Sequence, residues 1–240
     1  MSGKLIHDFT VLQSVPPGVA ASNALVHGGR WINLAKYGKA TIVYLNGDTL
    51  VTERDVRLRE ATDNTGAGAQ GLDFSHIYRL GARVYFDPAT VVGTFQVGEQ
   101  VDGAAGGEGV IKSIESDHFV LYITDDANAF ANDELLTGGT SGATVTSHAT
   151  NALRDTDILI RHEVLAGERV AAALNTFETN DDVDEDVYVI EVDAADLTDG
   201  YTHINADIDG VGAADDTARA MFVILGGKRY AGEPTETAVD

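Results

Sequence analysis

The sequence predicts a mainly β protein: a β-sandwich or barrel-like core with an inserted small β subdomain and extended termini. Three observations predict this fold class. Apolar runs are short, of strand length, and separated by turn residues. Glycine is abundant at 26 residues, whereas proline occurs only 4 times. The chain of 240 residues is 44% hydrophobic, which is enough for a buried core in one large β domain or two small ones.

The core domain is predicted to be discontinuous and to comprise residues 31–89 and 149–230. Residues 41–45 form a compact apolar run, and the Asn46-Gly47 pair that follows predicts a tight hairpin with residues 49–51. Val56 and Leu58 alternate with arginines, a pattern typical of a half-buried strand. Further strands are predicted at residues 84–86, 158–160, 170–174, 187–192 and 221–225, with a short helix at 213–220.

Residues 90–148 are predicted to form the inserted β subdomain, because they contain an internal repeat. The motif F-x3-E-x-[VL]-x-G runs from Phe95 to Gly103 and again from Phe130 to Gly138, and a turn of small residues follows each copy. A strand that is apolar on both faces, residues 118–123, lies between the copies. Two copies are too few for a solenoid, so we expect a small twisted barrel or sandwich of about six short strands.

The two ends of the chain lack a clear period. Residues 1–30 are predicted to be an N-terminal arm, since Pro16-Pro17-Gly18 and Gly28-Gly29 interrupt any helix. Such an arm is either an untidy terminus or a segment that packs on a neighbouring subunit. Residues 231–240 are polar and are predicted to be an extended C-terminal tail.

The charge balance bears on the class of partner. Acidic residues outnumber basic ones 38 to 16, which gives a formal charge of −22. A duplex-binding protein needs a concentrated cationic face, and an anionic membrane repels an acidic chain, so neither partner is expected.

There is no cysteine, which removes disulfides, thiolate metal sites and cysteine nucleophiles. No apolar run reaches about 18 residues and the first residues do not resemble a secretory signal, so we expect folding in the cytoplasm of the host cell.

Three motifs bear a partial likeness to catalytic or cofactor sites. Residues 66–71 fit G-x-G-x-x-G, but no βαβ period surrounds them, so a glycine loop is expected. His162-Glu163 begins like H-E-x-x-H, but position 166 is alanine. Ser141, with His148 nearby, departs from the G-x-S-x-G nucleophile motif. We therefore predict no catalytic or cofactor-binding residues and no enzymatic activity.

Loops that are rich in carboxylate oxygens can bind calcium. The acidic loop 180–186 carries the densest anionic cluster: Asp181, Asp182, Asp184 and Asp186. It lacks the glycine turn and distal glutamate of an EF-hand, so we predict a solvated loop and no metal site, with calcium as the alternative. Asp207-x-Asp209-Gly210 is a weaker candidate of the same kind.

An aromatic platform could bind carbohydrate, because sugars stack on aromatic faces. Trp31, Tyr37 and Tyr44 are the candidates in this sequence. Aromatic residues make up only 7% of the chain, and packing in the core is the simpler expectation for these three.

Several longer runs resemble small virion structural proteins of tailed bacteriophages. The repeat with its turn at residues 138–143 is similar to a β module that is common in phage structural proteins. The runs that carry the rest of the resemblance are residues 34–43, 56–74, 188–201 and 222–232.

The resemblance implies a non-enzymatic head decoration, or cement, protein on the outer surface of the capsid. Its implied partners are the major capsid protein and further copies of itself, with a homotrimer favoured, and it carries over no catalytic residue or cofactor. An alternative is a tail, baseplate or receptor-binding component whose inserted module contacts host surface glycans. A third is an enzyme such as a glycan hydrolase that uses paired carboxylates.

Overall fold

The computed structural model describes residues 10–15, 31–46, 55–74, 76–125, 130–163, 175–178, 187–209 and 219–228. Within these residues the protein is mainly β, as predicted, with antiparallel sheets and one short 3-10 helix at Pro88–Thr90. The strands, numbered along the chain, are β1 (Thr10–Val15), β2 (Ile32–Asn33), β3 (Tyr37–Asn46), β4 (Asp55–Ala61), β5 (Gln70–Gly71), β6 (His76–Tyr85), β7 (Gln100–Gly103), β8 (Glu108–Ile114), β9 (His118–Asp125), β10 (Leu135–Gly138), β11 (Thr144–Thr146), β12 (Leu153–Glu163), β13 (Thr176–Glu178), β14 (Val187–Asp193), β15 (His203–Asp209) and β16 (Arg219–Lys228).

The chain forms two compact units. The first takes in the described residues up to Ile77 and those from Glu163 onward, and the second contains Tyr78–His162. The second unit extends beyond the predicted insertion, residues 90–148, at both ends. Strand β6 precedes the predicted insertion and β12 follows it. Because β12 pairs with β6, and β6 pairs with β9, both strands belong to the same sheet as the insertion.

The first unit is built from two antiparallel sheets. One has the order β1-β16-β3-β14, and the other has the order β13-β4-β15-β2, with β5 added to β4. Alternate residues of β4 are buried, which is the pattern of a strand with one face on a core. The apolar faces of the two sheets share one hydrophobic core, as in a β-sandwich.

Aromatic side chains join the two sheets in this core. Tyr44 of β3 and Tyr188 of β14 stack with their ring centroids 6.0 Å apart. Phe177 of β13, in the second sheet, lies 5.2 Å from the Tyr188 ring. All three are almost completely buried, and each fully buried ring stabilises the fold by about 1.5–3 kcal/mol through removal of apolar surface from water.

The hairpin predicted at Asn46-Gly47 is wrong as a pairing of residues 41–45 with residues 49–51. Both edges of β3 are already occupied: Ile42 lies opposite Ile190 of β14 on one side and Val223 of β16 on the other. An apolar strand gains more burial in the centre of a sheet than beside a short local partner, so long-range pairing overrides the turn signal. Residues 47–54 themselves lie outside the described residues.

Part of the predicted N-terminal arm belongs to the first unit. Strand β1 pairs antiparallel with β16, with Thr10 opposite Leu225, and forms the edge of that sheet. Several predicted features lie outside the described residues: the rest of residues 1–30, the strand at 170–174, the acidic loop 180–186 and the tail 231–240. Of the predicted helix at 213–220, the last two residues belong to β16 and the others lie outside as well.

The second unit contains strands in the order β6-β9-β8-β7-β10-β11. Its core is separate from that of the first unit and includes Phe86, Phe95, Phe119 and Phe130. The Phe95 and Phe119 ring centroids lie 4.8 Å apart. In the described residues of the whole chain, no helix has the length and hydrophobicity needed to cross a membrane.

Candidate functional site: the outer face of the duplicated hairpins

The internal repeat of the sequence forms two hairpins, β7–β8 and β10–β11, which we call the duplicated hairpins. Strands β7 and β10 pair antiparallel at their centre. Val101 lies opposite Gly138, and Leu136 lies opposite Gly103. Because Val101 and Leu136 occupy the same motif position, as do the two glycines, the pairing is reciprocal. A local pseudo-two-fold axis therefore passes between the two hairpins.

The first motif glutamate reaches the turn of the second copy. The Glu99 carboxylate accepts hydrogen bonds from the Gln96 amide at 2.6 Å, the Ser141 amide at 2.8 Å and the Ser141 hydroxyl at 2.9 Å. The Thr140 amide donates a fourth, at 3.2 Å. Only 5% of Glu99 is exposed, so these donors replace the water that burial removes.

The second motif glutamate makes the equivalent contacts in the opposite direction. The Glu134 carboxylate accepts from the Ala131 amide at 2.5 Å and from the Ala105 amide at 2.7 Å. Ala105 lies in the turn of the first copy. Each hairpin therefore depends on the carboxylate of the other to satisfy the amides of its own turn.

Burial of the Glu99 carboxyl raises its pKa, but the hydrogen bonds from Gln96, Ser141 and Thr140 together outweigh this effect. The pKa of Glu99 therefore lies below its ordinary value of 4.5. The ionised form is the one that fits the turn.

The motif glycines are required by these glutamates. A Cβ atom on Gly138 would lie 2.8 Å from both Glu99 oxygens and 2.5 Å from the Ser141 hydroxyl. A Cβ atom on Gly103 would lie 2.7 Å from a Glu134 oxygen. The glutamate and glycine positions of the motif therefore depend on each other. Each glutamate carboxylate occupies the space that a side chain would fill at the glycine of the other copy.

One face of the four-stranded sheet β8-β7-β10-β11 packs on the core and the other is turned to solvent. We call the solvent side the outer face. Leu135 and Thr137 alternate with the buried Leu136 and Gly138 along β10, so they share the outer face. Residues directly opposite each other project to the same side, which places further residues there: Thr146, Thr144, Asp102 and Glu108.

The outer face also carries exposed apolar side chains. Leu135 is 50% exposed, and Val92, which bridges to Thr144 beside β11, is 68% exposed. Gln100 orders the polar part of the outer face: its side-chain amide donates to Asp102 at 2.8 Å and to Glu108 at 2.9 Å. The result is a β surface that carries exposed apolar side chains beside ordered polar ones.

The pseudo-two-fold axis relates Leu135 to Gln100, since these residues occupy the same position of the motif. The structural contacts of the two copies are equivalent, yet one copy exposes leucine where the other has a polar side chain. This difference is not required by the core or by the glutamate contacts. We therefore take Leu135 as the residue that most sharply distinguishes the outer face from a purely structural surface.

The glycine loop at residues 66–71 is organised by its own side chains. Asp63 accepts hydrogen bonds from the Thr65 amide at 2.8 Å and the Ala67 amide at 3.1 Å. These two donors therefore point at the Asp63 carboxylate. The bonds from Ala67 and then Thr65 hold the pKa of Asp63 below its ordinary value of 3.8. The last two residues of this segment form the short strand β5, whereas a dinucleotide site needs a helix N-terminus there.

The other candidate residues of the sequence are not assembled into catalytic arrangements. Ser141 donates to Glu99, while His148 contacts the Thr150 backbone. His162 is buried beside the Tyr122 ring and contacts the Lys112 amine at 3.1 Å.

The candidate aromatic platform is divided between the core and the surface. Tyr37 and Tyr44 are buried in the core, whereas Trp31 is half-buried beside Gly66 and Arg59. The three rings therefore do not present a common exposed platform.

Asp207, from the weaker of the two candidate calcium motifs, is part of an ion-pair cluster. Asp207 is buried and accepts from Arg59 at 2.7 Å and from Arg57 at 3.2 Å. Gly210 and the aspartates of the acidic loop lie outside the described residues. Among the residues that the structure does describe, no group of three or more His, Asp or Glu is placed to hold a metal ion.

Comparisons with protein-family models, with curated proteins and with solved structures found no match. The site therefore rests on its own geometry. Sequence reasoning identified the repeat but did not identify the reciprocal contacts of Glu99 and Glu134. The signal was present: a glutamate and a glycine recur at fixed spacing in both copies, which is more than a hydrophobic pattern alone requires.

Proposed function

We propose that the chain is a structural protein of a tailed-bacteriophage virion, which decorates the head by docking on the lattice of the major capsid protein. The observation that carries this proposal is the outer face: a β surface on which Leu135 and Val92 are exposed. The hairpins that form it are joined by the hydrogen bonds of Glu99 and Glu134. The resemblance of the sequence to phage structural proteins supports the same assignment.

A surface of this kind suits docking on a repeated scaffold. Association loses less conformational entropy when the binding surface is already rigid, and the reciprocal hydrogen bonds supply that rigidity. Modest contacts also become strong when several copies are linked in one oligomer, because the first copy to bind raises the effective concentration of the others at the lattice. A charge of −22 disfavours contact with packaged DNA, which favours the outer surface of the capsid.

The substitution Leu135→Gln tests the proposal, because it installs the residue that the first copy carries at the equivalent position. Purified protein is mixed with capsids of its own phage that lack it, and bound protein is measured by co-sedimentation. We expect an affinity at least about tenfold weaker, as for loss of an apolar anchor in an interface. Ile114→Thr removes an exposed apolar side chain at the far end of β8 and is the matched control.

Unchanged capsid binding of Leu135→Gln would remove the outer face from the proposal, and failure of the wild-type protein to bind capsids would overturn decoration itself. Quantification of the chain in intact particles adds an independent reading. A number of copies close to that of the capsid lattice supports decoration. A handful of copies would instead favour the alternative role in the tail, baseplate or receptor binding.

A further inference from the structure

One row of side chains crosses the outer face from strand to strand. Its members lie directly opposite one another in the order Glu108 of β8, Asp102 of β7, Thr137 of β10, Thr144 of β11 and Val92. Because neighbouring strands lie about 4.8 Å apart, the row is about 19 Å long. It runs from two carboxylates, through two hydroxyl groups, to an apolar side chain.

The hairpin fold does not require acids at one end of this row. Asp102 and Thr137 occupy the same position of the motif, as do Gln100 and Leu135. At both positions the first copy carries the more polar residue and the second copy the less polar one. Both hairpins form with either kind of residue, so the difference in charge between the two ends has a cause outside the hairpins.

The acidic end brings two carboxylates together. Asp102 and Glu108 are half-buried, and like charges directly opposite each other destabilise an antiparallel pair. Gln100 offsets part of this repulsion, since its amide nitrogen donates to Asp102 at 2.8 Å and to Glu108 at 2.9 Å. The space between the carboxylates therefore already accommodates N–H donors.

The surrounding strands supply no basic partner for this end. On the other side of β8, the residue opposite Glu108 is Asp125 of β9. Lys112, further along β8, contacts His162 and the Tyr122 ring. In the part of the chain that the structure describes, neither of the two carboxylates takes part in an ion pair. Each carboxylate can accept about four hydrogen bonds, so both keep the capacity to bind a cation from outside.

We propose that Asp102 and Glu108 bind a basic side chain, lysine or arginine, of the major capsid protein, next to an apolar residue that packs on Leu135. Leu135 is the diagonal neighbour of Asp102 across the β7–β10 pair, at about 7–8 Å, so one segment of the partner can reach both. Ammonium and guanidinium groups supply the N–H donors that Gln100 shows to fit here, and charge assistance strengthens such hydrogen bonds. This inference rests on the proposed capsid decoration and specifies the chemistry of its partner.

The two unlike ends of the row also give the docking a direction. The pseudo-two-fold axis would otherwise make two orientations of the hairpins, related by a half turn, nearly equivalent to a partner. An acid at one end and an apolar side chain at the other distinguish these orientations. The chain charge of −22 favours the same partner, because complementary charge steers association and rejects an anionic surface.

The double variant Asp102→Asn/Glu108→Gln tests this inference, because it removes both charges and keeps the shape of the side chains. Binding to capsids that lack the protein is measured by co-sedimentation from about 0.05 M to about 0.5 M salt, a range over which charge pairs become screened. We expect binding about fivefold weaker than wild type at low salt, and a smaller dependence on salt. Leu135→Gln should weaken binding at every salt concentration and keep the wild-type salt dependence.

Glu115→Gln/Asp117→Asn is the matched control. It makes the same change in net charge at exposed residues in the turn between β8 and β9, and it should bind as wild type does. An equal loss in both double variants would assign the effect to net charge and overturn the proposal. Asp102→Asn/Glu108→Gln should unfold at no lower temperature than wild type, because it removes a pair of opposed like charges.

The outcomes separate this inference from capsid decoration. If wild-type protein does not bind capsids, decoration itself is overturned. If Leu135→Gln binds weakly while Asp102→Asn/Glu108→Gln keeps the affinity and salt dependence of wild type, only the basic partner is overturned. Wild-type binding that is lost in EDTA and restored by calcium would assign the carboxylates to a metal ion, and would likewise overturn the basic side chain.

Discussion

Glu99 and Glu134 are 35 residues apart in the chain, and the carboxylate of each accepts hydrogen bonds from the turn that follows the strand of the other. The relationship is symmetric down to the local amide, since Gln96 and Ala131 donate to their own glutamate in the same way. Neither hairpin is complete without its partner. The two copies of the motif therefore form one structural element. Four predictions test this element and the ion-pair cluster of Asp207 in the first compact unit.

Loss of charge at Glu99 should destabilise the second unit. Glu99→Gln keeps the shape but directs an NH2 group at amide donors, which leaves buried donors unsatisfied. We expect a loss of about 1.5–3 kcal/mol in the free energy of unfolding, the range for hydrogen bonds to charged groups. Hydrogen exchange should accelerate at the amides of Thr140 and Ser141.

The exposed Glu115→Gln is the control for this experiment and should change stability by less than about 0.5 kcal/mol. Equal exchange rates at Ser141 in wild-type protein and Glu99→Gln would contradict the hydrogen-bond assignment.

The stabilising effect of Glu99 should depend on pH with a definite sign. The pKa of Glu99 is lower in the folded state than its ordinary value of 4.5, so its contribution is fully present above pH 4.5. It is lost as the pH falls through the folded-state pKa. Urea unfolding of wild-type protein and Glu99→Gln, measured in steps from pH 7 to pH 3, should show a stability difference that narrows only below pH 4.5. A difference that stays constant over this range would contradict the prediction.

Two adjacent glycines should respond differently to alanine. Gly138→Ala places a methyl group 2.8 Å from the Glu99 oxygens, so we expect a loss of more than about 2 kcal/mol. Gly139→Ala meets its nearest neighbour, the Gln100 carbonyl oxygen, at 3.5 Å, so it should be close to neutral. Chemical denaturation followed by far-UV circular dichroism measures both variants. Equal effects of the two substitutions would show that the carboxylate does not occupy this space.

A buried ion-pair cluster should matter more than an exposed pair in the first unit. Asp207→Asn leaves Arg57 and Arg59 without their shared carboxylate, and we expect a loss of about 2–4 kcal/mol. Glu191→Gln breaks the exposed pair with Lys39 and should cost less than about 1 kcal/mol. Unfolding can be followed through Trp31, the single tryptophan, which lies 5.9 Å from the Arg59 guanidinium. A larger effect of Glu191→Gln would reverse the expected order.

Much of the fold follows from local pattern. The alternation in β4 and the apolar runs of β3, β14 and β16 predicted strands that the structure contains, because burial of one or both faces requires that spacing. The failure at Asn46-Gly47 has the opposite cause. A turn signal is local, whereas the partners of β3 lie more than 140 residues away and win through the larger apolar area that they bury.

The sequence by itself determined the mainly β class, the acidic surface and the presence of a duplicated motif, because composition and spacing are properties of the chain. Only the tertiary structure decided what the duplication does. The reciprocity of Glu99 and Glu134 depends on β7 and β10 pairing antiparallel in one register, and register is a long-range property that spacing does not fix. The same register gives Leu135 its place on the outer face, opposite to the buried Leu136.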